Sequence, residues 1–372
     1  MARYYDFNGI YNKAKLLNCK NILIAGGKGN GKTYGCLKKG LELYLSTGRI
    51  IRYARRLDKT VKQDNLKNLF RPHHKLIERL TDGKYNHVTM RGRRFYLDFI
   101  ENDKKIRSDK REFCIVNALS TWESDSGPDE GEACLIVFDE AISRECALKD
   151  EFTKLMKYHN NCMRNRNDYF CPLILLGNTV TRDCEIFDDF GIDLWQIADS
   201  DKGHIQIVKN RKGQINALFE WCAKAEVQEE SAEEYYNRFD NDKTKMITEG
   251  VFTLGEYKHM KYDVAMKKST QLFSIALIHP HYNLEIDYIM NQYGNLFCFV
   301  RESPAVEKCD LIVNPATMLN RGNILNVFEG RFADIFTYCY SCEQVVYESC
   351  AVGEKYRSFA MHCTGLDSCI PA

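Results

Sequence analysis

Eight residues near the start of the chain have the types and spacing of a phosphate-binding loop, or P-loop. They follow a short apolar run and are Gly26, Gly27, Lys28, Gly29, Asn30, Gly31, Lys32 and Thr33. The glycines let backbone N–H groups turn inward around phosphate oxygens. Lys32 is predicted to reach the β- and γ-phosphates of ATP, and Thr33 to hold Mg²⁺. The sequence therefore predicts an ATP and Mg²⁺ site in this loop.

A second motif places two carboxylates directly after an apolar run. Residues 135–138 are Leu-Ile-Val-Phe, and Asp139 and Glu140 follow them. A P-loop ATPase needs a carboxylate at the tip of a neighbouring strand to hold Mg²⁺, commonly through water, and Asp139 is placed for that role. Glu140 is placed to orient and deprotonate the attacking water. A buried strand ending in a solvated acidic turn is the alternative, but the complete P-loop upstream makes it much less favourable.

A third apolar run, residues 173–176, precedes Gly177 and Asn178. An amide at the end of such a strand can contact the γ-phosphate or the attacking water and so respond to hydrolysis. Asn178 is the candidate for that catalytic role. Asparagine is also common where a strand turns into a loop, for purely local reasons. Both interpretations of Asn178 stay open at this point.

Two arginines between the second and third motifs are candidates for an arginine finger. The order is Arg164-Asn165-Arg166, near the end of a predicted helix. An arginine there can cross a subunit interface and stabilise the charge that develops during phosphoryl transfer in a neighbour's site. Arg164 is the first candidate and Arg166 the second. The alternative is a cation that interacts with the helix dipole. Lys28 is a candidate cation for the site of its own subunit.

These residues require a sheet whose strands end at one edge. Short apolar runs alternate with helix-like segments up to residue 203, which predicts an α/β domain with a mainly parallel sheet. The predicted strands are residues 21–25, 50–54, 113–118, 134–138 and 172–176. Helices are predicted at 66–80 and 150–165. Residues 84–105 are predicted to leave the core, with an added hairpin strand at 95–100.

The pattern changes after residue 203. Residues 205–208 and 215–218 are predicted to pair as a hairpin, and 226–242 form a charged, exposed helix. Three successive strands follow at 271–278, 284–290 and 296–300, and then a helix at 326–341. We therefore predict an ATPase domain (1–203), a linker subdomain (204–255) and a small C-terminal α/β domain (256–372). The last is compatible with a ribonuclease-H-like fold.

Composition limits the remaining possibilities. The chain has 372 residues, 44% of them apolar, and a formal net charge of +1, so total charge gives no signal for nucleic acid. No apolar run is long enough to span a bilayer, and the N-terminus lacks the apolar core of a signal peptide. The 16 cysteines are therefore interpreted as reduced, mostly buried thiols of a cytosolic protein. A zinc site near Cys339 and Cys342 is the less favoured alternative, because the later spacings fit no familiar pattern.

Basic residues cluster at 52–56, 91–94 and 104–107. Arginine and lysine side chains can follow a phosphate backbone without reading its sequence. Any one cluster is more simply a solvated face, and Arg55 and Arg56 can equally support the nucleotide site. Three clusters within one ATPase domain predict contact with DNA or RNA.

Taken together, the motifs resemble the DNA-packaging ATPases of φ29-type small tailed phages, which are relatives of the terminase large subunits. The resemblance rests on the P-loop, on Gly-Arg-Arg-Phe-Tyr-x-Asp at 92–98, on Val-Phe-Asp-Glu at 137–140, and on the Tyr-x-Arg-Arg, Arg-Asn-Arg and Leu-x-Asn strings at 53–56, 164–166 and 176–178. It covers residues 20 to 180 and is faint beyond residue 200. The acidic segment after Trp122 departs from the family's lid pattern, so no lid residue is carried over.

The resemblance implies an ASCE-type ATPase that pumps double-stranded DNA into a prohead. It implies a homopentameric ring in the host cytoplasm that docks transiently at the portal (connector), and it leaves open whether a packaging RNA takes part. It supports Lys32, Thr33, Asp139, Glu140 and Arg164 in the roles given above. The alternatives are a terminase large subunit with an active nuclease domain and another ring-forming nucleic-acid-dependent P-loop NTPase.

The C-terminal domain is predicted to lack nuclease activity. A ribonuclease-H-like nuclease needs several carboxylates for two metal ions, normally including one on its first strand. The predicted first strand contains none, and Asp287 on the next strand has no evident partner in the sequence.

Overall fold

The chain divides into two compact units, residues 1–253 and 254–372. The architecture comes from a computed structural model that describes residues 5–122, 132–143, 148, 150–163, 169–179, 182, 184–194, 196–197, 201–222, 257–279, 281–303, 306–313, 324–325 and 330–361. Within these residues, no helix has the length and apolar character needed to cross a bilayer.

The N-terminal unit is built on a nine-stranded sheet. Its strands are β1 (Asn21–Gly26), β2 (Ile50–Arg55), β3 (His87–Arg91), β4 (Arg94–Glu101), β5 (Lys104–Ala118), β6 (Ala133–Phe138), β7 (Leu173–Asn178), β8 (Ile205–Lys209) and β9 (Ile215–Trp221). Their order is β3-β4-β5-β2-β6-β7-β1-β9-β8. The six strands from β5 to β9 in this order are parallel to one another, which confirms the predicted mainly parallel sheet.

The helices of this unit cover both faces of the sheet. They are α1 (Asn8–Leu16), α2 (Lys32–Thr47), α3 (Gln63–Leu66), α4 (His74–Leu80), α5 (Glu151–Cys162) and α6 (Glu185–Asp189). Side chains alternate across each strand, so Ile22 and Ile24 of β1 pack in one core with α2, while Leu23 and Ala25 pack in the opposite core with α5. Burial on both faces explains why the central strands are continuously apolar in sequence.

The prediction of a single helix at residues 66–80 is wrong. The chain there forms α3, a turn, a 3-10 helix at Arg71–His73 and then α4. Pro72 explains the interruption, because proline has no N–H to donate and restricts the backbone of the residue before it. The predicted excursion at 84–105 is an antiparallel extension of the sheet through β3, β4 and the first half of β5.

The hairpin predicted in the linker subdomain forms, but it lies in the nine-stranded sheet. β8 and β9 are antiparallel, and β9 pairs in parallel with β1. The pairing of β9 with β1 could not be predicted from local sequence patterns, because the two strands are far apart along the chain. The charged segment 226–242 lies outside the described residues, so a separate linker subdomain remains a prediction.

The C-terminal unit contains a six-stranded sheet. Its strands are β10 (Ser269–Ile278), β11 (Asn283–Asn291), β12 (Leu296–Glu302), β13 (Leu311–Val313), β14 (Ile324–Leu325) and β15 (Val345–Tyr347), in the order β14-β13-β10-β11-β12-β15. The helices are α7 (Tyr262–Ala265), α8 (Arg331–Ser341) and α9 (Cys350–Met361). β10, β11 and β12 form an antiparallel meander, as predicted, and β13 lies parallel to β10. Of the helix predicted at 326–341, the described part begins at Arg331.

Candidate nucleotide-binding site

The P-loop lies between the end of β1 and the start of α2. Gly29 and Gly31 have φ angles of 86° and 92°, in the left-handed region that favours glycine. α2 begins at Lys32, so its first N–H groups face the same space as the loop. The Lys32 N–H also points to Asn30 Oδ1 at 3.3 Å. The local sequence thus forms the strand end, glycine-rich turn and helix start that the motif predicts.

The ammonium group of Lys32 is held by three oxygen atoms. It donates to the carbonyl oxygens of Gly26 and Gly27 at 2.9 and 2.8 Å and to Asn178 Oδ1 at 3.2 Å. The side chain is buried, and this burial lowers the pKa of Lys32. The Lys32 ammonium group thus lies among oxygen acceptors, and phosphate oxygens can replace these acceptors as its hydrogen-bond partners.

Asn178 reaches the P-loop because β7 pairs with β1. In the parallel register it lies opposite Gly26, where both strands end. The neighbouring Gly177 allows the chain after β6 to pass closely, since a Cβ there would lie 2.4 Å from Cγ1 of Ile142. The structure therefore brings the third sequence motif into contact with the first through Lys32.

Thr33 and Asp139 face each other across the cavity. The Thr33 hydroxyl lies 3.4 and 3.5 Å from the two carboxylate oxygens of Asp139. A hydroxyl and a carboxylate are hard oxygen ligands of the kind Mg²⁺ prefers. These two side chains fit a magnesium ion that takes its other ligands from phosphate and water. In the described part of the chain, no group of three His, Cys, Asp or Glu side chains is placed to hold a metal.

The end of β2 supplies two partners for the carboxylates. Sequence reasoning did not assign Tyr53, and for Arg55 it left support of the nucleotide site open beside contact with nucleic acid. The buried Tyr53 hydroxyl donates to Asp139 Oδ2 at 2.5 Å. Burial and the charge of Asp139 raise the pKa of Tyr53 well above its usual value, so it is a neutral donor. Arg55 lies 3.2 Å from Glu140 and 3.7 Å from Asp139. The signal present in the sequence was the Tyr-x-Arg spacing, which puts both side chains on one face of a strand.

The backbone of Glu140 has an unusual conformation, which determines the direction of its side chain. Its φ angle is 59°, a left-handed conformation that costs energy for a residue with a side chain. Its N–H donates to Asp139 Oδ1 at 3.1 Å, and its carbonyl accepts from Arg56 at 3.2 Å. Arg56 is itself held by a buried, two-pronged ion pair with Glu151 of α5. These contacts support the turn that keeps the half-exposed Glu140 side chain at the cavity.

Together these residues enclose a cavity of about 280 Å³ at the carboxyl edge of the sheet. Its lining combines the P-loop and the ends of three other strands: Lys28, Gly29, Asn30, Gly31, Lys32, Thr33, Tyr34, Arg55, Asp139, Glu140, Leu176, Gly177 and Asn178. In parallel α/β sheets, ligands bind at this edge. The candidate finger residues Arg164 and Arg166 lie outside the described residues, because the described chain stops at Met163, just beyond α5, and resumes at Tyr169.

The side chains of the three basic clusters lie in different environments and do not form a single exposed basic surface. Arg52 is buried, Arg55 lines the cavity, and Arg56 supports the backbone of Glu140 beside it. Side chains of the other two clusters form ion pairs within the unit: Arg93 with Asp58, Arg94 with Glu112 and Lys105 with Asp98. Lys104 and Arg107, near the β4–β5 turn, are exposed.

Asp287 of the C-terminal unit does have a partner, Arg301 on β12. The guanidinium lies 2.7 Å from Asp287 and 2.9 Å from Glu285. Burial raises the pKa of Asp287 to about 7, while the hydrogen bond from Arg301 opposes the rise. Ser274 of the first strand, β10, lies opposite Asp287 in the sheet. One arginine therefore pairs with both Glu285 and Asp287.

Residues 2–191 match the family described as Podovirus DNA encapsidation protein (Gp16). Among solved structures, the fold is similar to the phi-28 gp11 DNA packaging motor, with 16% identity, a TM-score of 0.50, and 97% of this chain and 98% of that chain covered. It is also similar to the viral genome packaging motor assembly of bacteriophage phi-29, with 15% identity, a TM-score of 0.52, and 96% and 100% covered. No curated protein matches the sequence.

Proposed function

The chain belongs to the podovirus DNA encapsidation protein (Gp16) family, and we propose that it is a motor subunit that couples ATP hydrolysis to the movement of double-stranded DNA into a prohead. One observation carries the proposal. Lys32, Thr33, Asp139 and Glu140 meet around one cavity at the carboxyl edge of the sheet. A phosphate loop, a metal-binding carboxylate and an adjacent glutamate are the parts that nucleoside triphosphate hydrolysis requires.

Each of these residues has a distinct task on ATP. Lys32 exchanges its carbonyl partners for β- and γ-phosphate oxygens, and Asn178, which already contacts it, faces the γ-phosphate. Thr33 and Asp139 hold Mg²⁺, which when bound offsets phosphate charge. Glu140 accepts a proton from the attacking water, and its half-exposed side chain has the freedom to reach that water.

A second subunit completes the site. Arg164, or Arg166 in its place, projects into the neighbour's cavity and stabilises the charge of phosphoryl transfer. The proposal rests on the sequence position of the two arginines and on the family. The resemblance of this chain to that family implies a homopentameric ring at the prohead portal. Lys28 lines the cavity of its own subunit and contributes positive charge there.

DNA is held through its backbone, because a packaging motor must accept any sequence. The exposed Lys104 and Arg107 at the β4–β5 hairpin are the best-placed cations of the basic clusters. Arg93, Arg94 and Lys105 take part only if phosphates replace their carboxylate partners. The proposal thus narrows the predicted DNA surface to one hairpin.

The C-terminal unit is proposed to be ribonuclease-H-like without nuclease activity. An antiparallel meander flanked by parallel strands supports the fold, and Arg301 between Glu285 and Asp287 supports the loss of metal binding. The rival function is a terminase large subunit that also cuts DNA. Mn²⁺-dependent cleavage by the purified protein, abolished by Asp287→Ala, would establish that rival.

The decisive experiment compares ATP hydrolysis by the wild type, Glu140→Gln and Arg164→Ala, with and without double-stranded DNA. We expect each variant alone to lose at least about a hundredfold in rate. A finger acting in trans predicts partial recovery when the two variants are mixed, because some interfaces regain both groups. Arg166→Ala, tested alone and mixed with Glu140→Gln in the same way, decides which of the two arginines is the finger. Full activity in Glu140→Gln would overturn the catalytic assignment, and DNA-independent activity that moves no DNA would favour another ring-forming NTPase.

A further inference from the structure

The N-terminal segment crosses the P-loop before α1 begins. Tyr5, the first described residue, donates its N–H to the carbonyl of Asn30 at 3.0 Å. Its own carbonyl lies against the first turn of α2, where a Cβ on Gly35 would come within 2.8 Å of it. The backbone of Tyr5 is therefore fitted to both the loop and the helix that form the phosphate cradle.

The side chain of Tyr5 reaches a different element, the strand β9. Its hydroxyl donates to Glu220 Oε2 at 2.5 Å. Burial raises the pKa of Tyr5 well above its usual value, so the phenol is a neutral donor. Burial also raises the pKa of Glu220, and the hydrogen bond from Tyr5 opposes that rise. A part-buried carboxylate depends on such a donor.

The end of β9 lies directly beside the start of the P-loop. Glu220 is opposite Ile24 in the parallel register, and the Cys222 N–H donates to the carbonyl of Ala25 at 2.8 Å. A Cβ on Gly26 would lie 2.9 Å from Cβ of Cys222. β9 is the last strand of the N-terminal unit that the structure describes, and the described residues stop at Cys222.

We propose that Tyr5 is a positioning residue that couples the conformation of the P-loop to the end of β9. The proposal rests on the ATP site proposed above. Phosphates that engage the loop N–H groups fix Asn30, and Asn30 fixes the backbone of Tyr5. The Tyr5 hydroxyl passes this constraint to Glu220, two residues before the chain leaves the described part of the unit.

The test uses the full chain and two readouts, MgADP affinity by calorimetry and hydrogen exchange of the amides of residues 220–222 with and without saturating MgADP. Tyr5→Phe removes only the hydroxyl, and Glu220→Met removes the acceptor together with its carboxylate charge. We expect each to weaken MgADP binding about fivefold, the value of one ordinary hydrogen bond. We also expect each to abolish the protection of residues 220–222 that the nucleotide gives in the wild type.

Three further variants separate positioning from general damage. Glu220→Gln keeps an acceptor oxygen and should restore the protection. The double variant Tyr5→Phe/Glu220→Met should be no weaker than either single variant, because both remove the same contact. Tyr11→Phe, buried on α1, is the matched control and should behave as the wild type. Nucleotide-dependent protection in Tyr5→Phe equal to the wild type overturns the coupling. No MgADP binding by the wild type would instead overturn the ATP site itself, and the coupling with it.

Discussion

The guanidinium of Arg55 lies 3.2 Å from the carboxylate of Glu140, at the ends of two adjacent parallel strands. The same group is 3.7 Å from Asp139, and its Nε donates to the Tyr53 hydroxyl at 3.2 Å. One cation therefore faces both the proposed metal ligand and the proposed base. The charge of the site depends on β2, a strand that belongs to neither of the two ATPase motifs.

Removing this cation should make the site bind Mg²⁺ more tightly. In Arg55→Gln we expect the Mg²⁺ concentration for half-maximal ATP hydrolysis to fall about threefold, because Asp139 and Glu140 no longer share a competing positive charge. The measurement is a magnesium titration at saturating ATP. Arg94→Gln, which breaks an ion pair with Glu112 outside the cavity, is the control and should not shift the curve. A requirement for more Mg²⁺ in Arg55→Gln would contradict this account.

Tyr53→Phe should have the opposite effect. Its hydroxyl fixes one oxygen of Asp139, and losing a hydrogen bond of this kind costs about 1 kcal/mol, so about fivefold more Mg²⁺ should be needed. The same magnesium titration detects it. Tyr158→Phe loses a comparable buried hydrogen bond, to Asn117, and serves as the control for stability alone. If both tyrosine variants shift the titration equally, the contact with Asp139 has no specific role.

Gly177 should tolerate no side chain. Alanine there would place Cβ 2.4 Å from Ile142, and overpacking of this kind destabilises a fold by about 1–3 kcal/mol. Denaturant unfolding of Gly177→Ala measures the loss. A Cβ on Gly9 in α1 would meet no atom within 4 Å, so Gly9→Ala should lie within about 0.5 kcal/mol of the wild type. Equal stability of the two variants would show that the sheet edge adjusts freely.

The stability of the C-terminal unit should fall as pH rises. The pKa of Asp287 is about 7 in the folded chain, above the usual value of 3.8, chiefly because of burial. The stability that the protonated Asp287 contributes is fully present below the unfolded pKa and is lost as pH rises through the folded one, a change on the order of 4 kcal/mol. Calorimetry between pH 4 and pH 8 at constant ionic strength measures it.

Asp287→Asn should flatten this pH dependence, because the amide keeps an oxygen for Arg301 but cannot ionise. Asp263→Asn, an exposed carboxyl on α7, is the control and should leave the slope unchanged. A slope that persists in Asp287→Asn would assign the titration to another group.

Local sequence patterns were enough to predict the strands that carry the motifs. Apolar runs ending in glycine or carboxylate located β1, β6 and β7 to within about two residues, as is usual for element boundaries. They failed at residues 66–80, where one proline outweighed the helical composition. They located the hairpin of β8 and β9 but did not predict that β9 pairs with β1, because pairing between distant strands leaves no mark on the residues between them.

The amino-acid sequence by itself determined which groups can do chemistry: the P-loop glycines, Lys32, Thr33, Asp139, Glu140 and Asn178. Short stretches of chain specify the loop conformation and the strand ends that carry these residues, so their local order was enough to identify them. Only the tertiary structure decided which side chains surround them. Tyr53 and Arg55 meet Asp139 and Glu140, and Tyr5 meets Glu220, because parallel strands bring together segments that are separated by tens to hundreds of residues. Such contacts depend on sheet order and register, which no local pattern encodes.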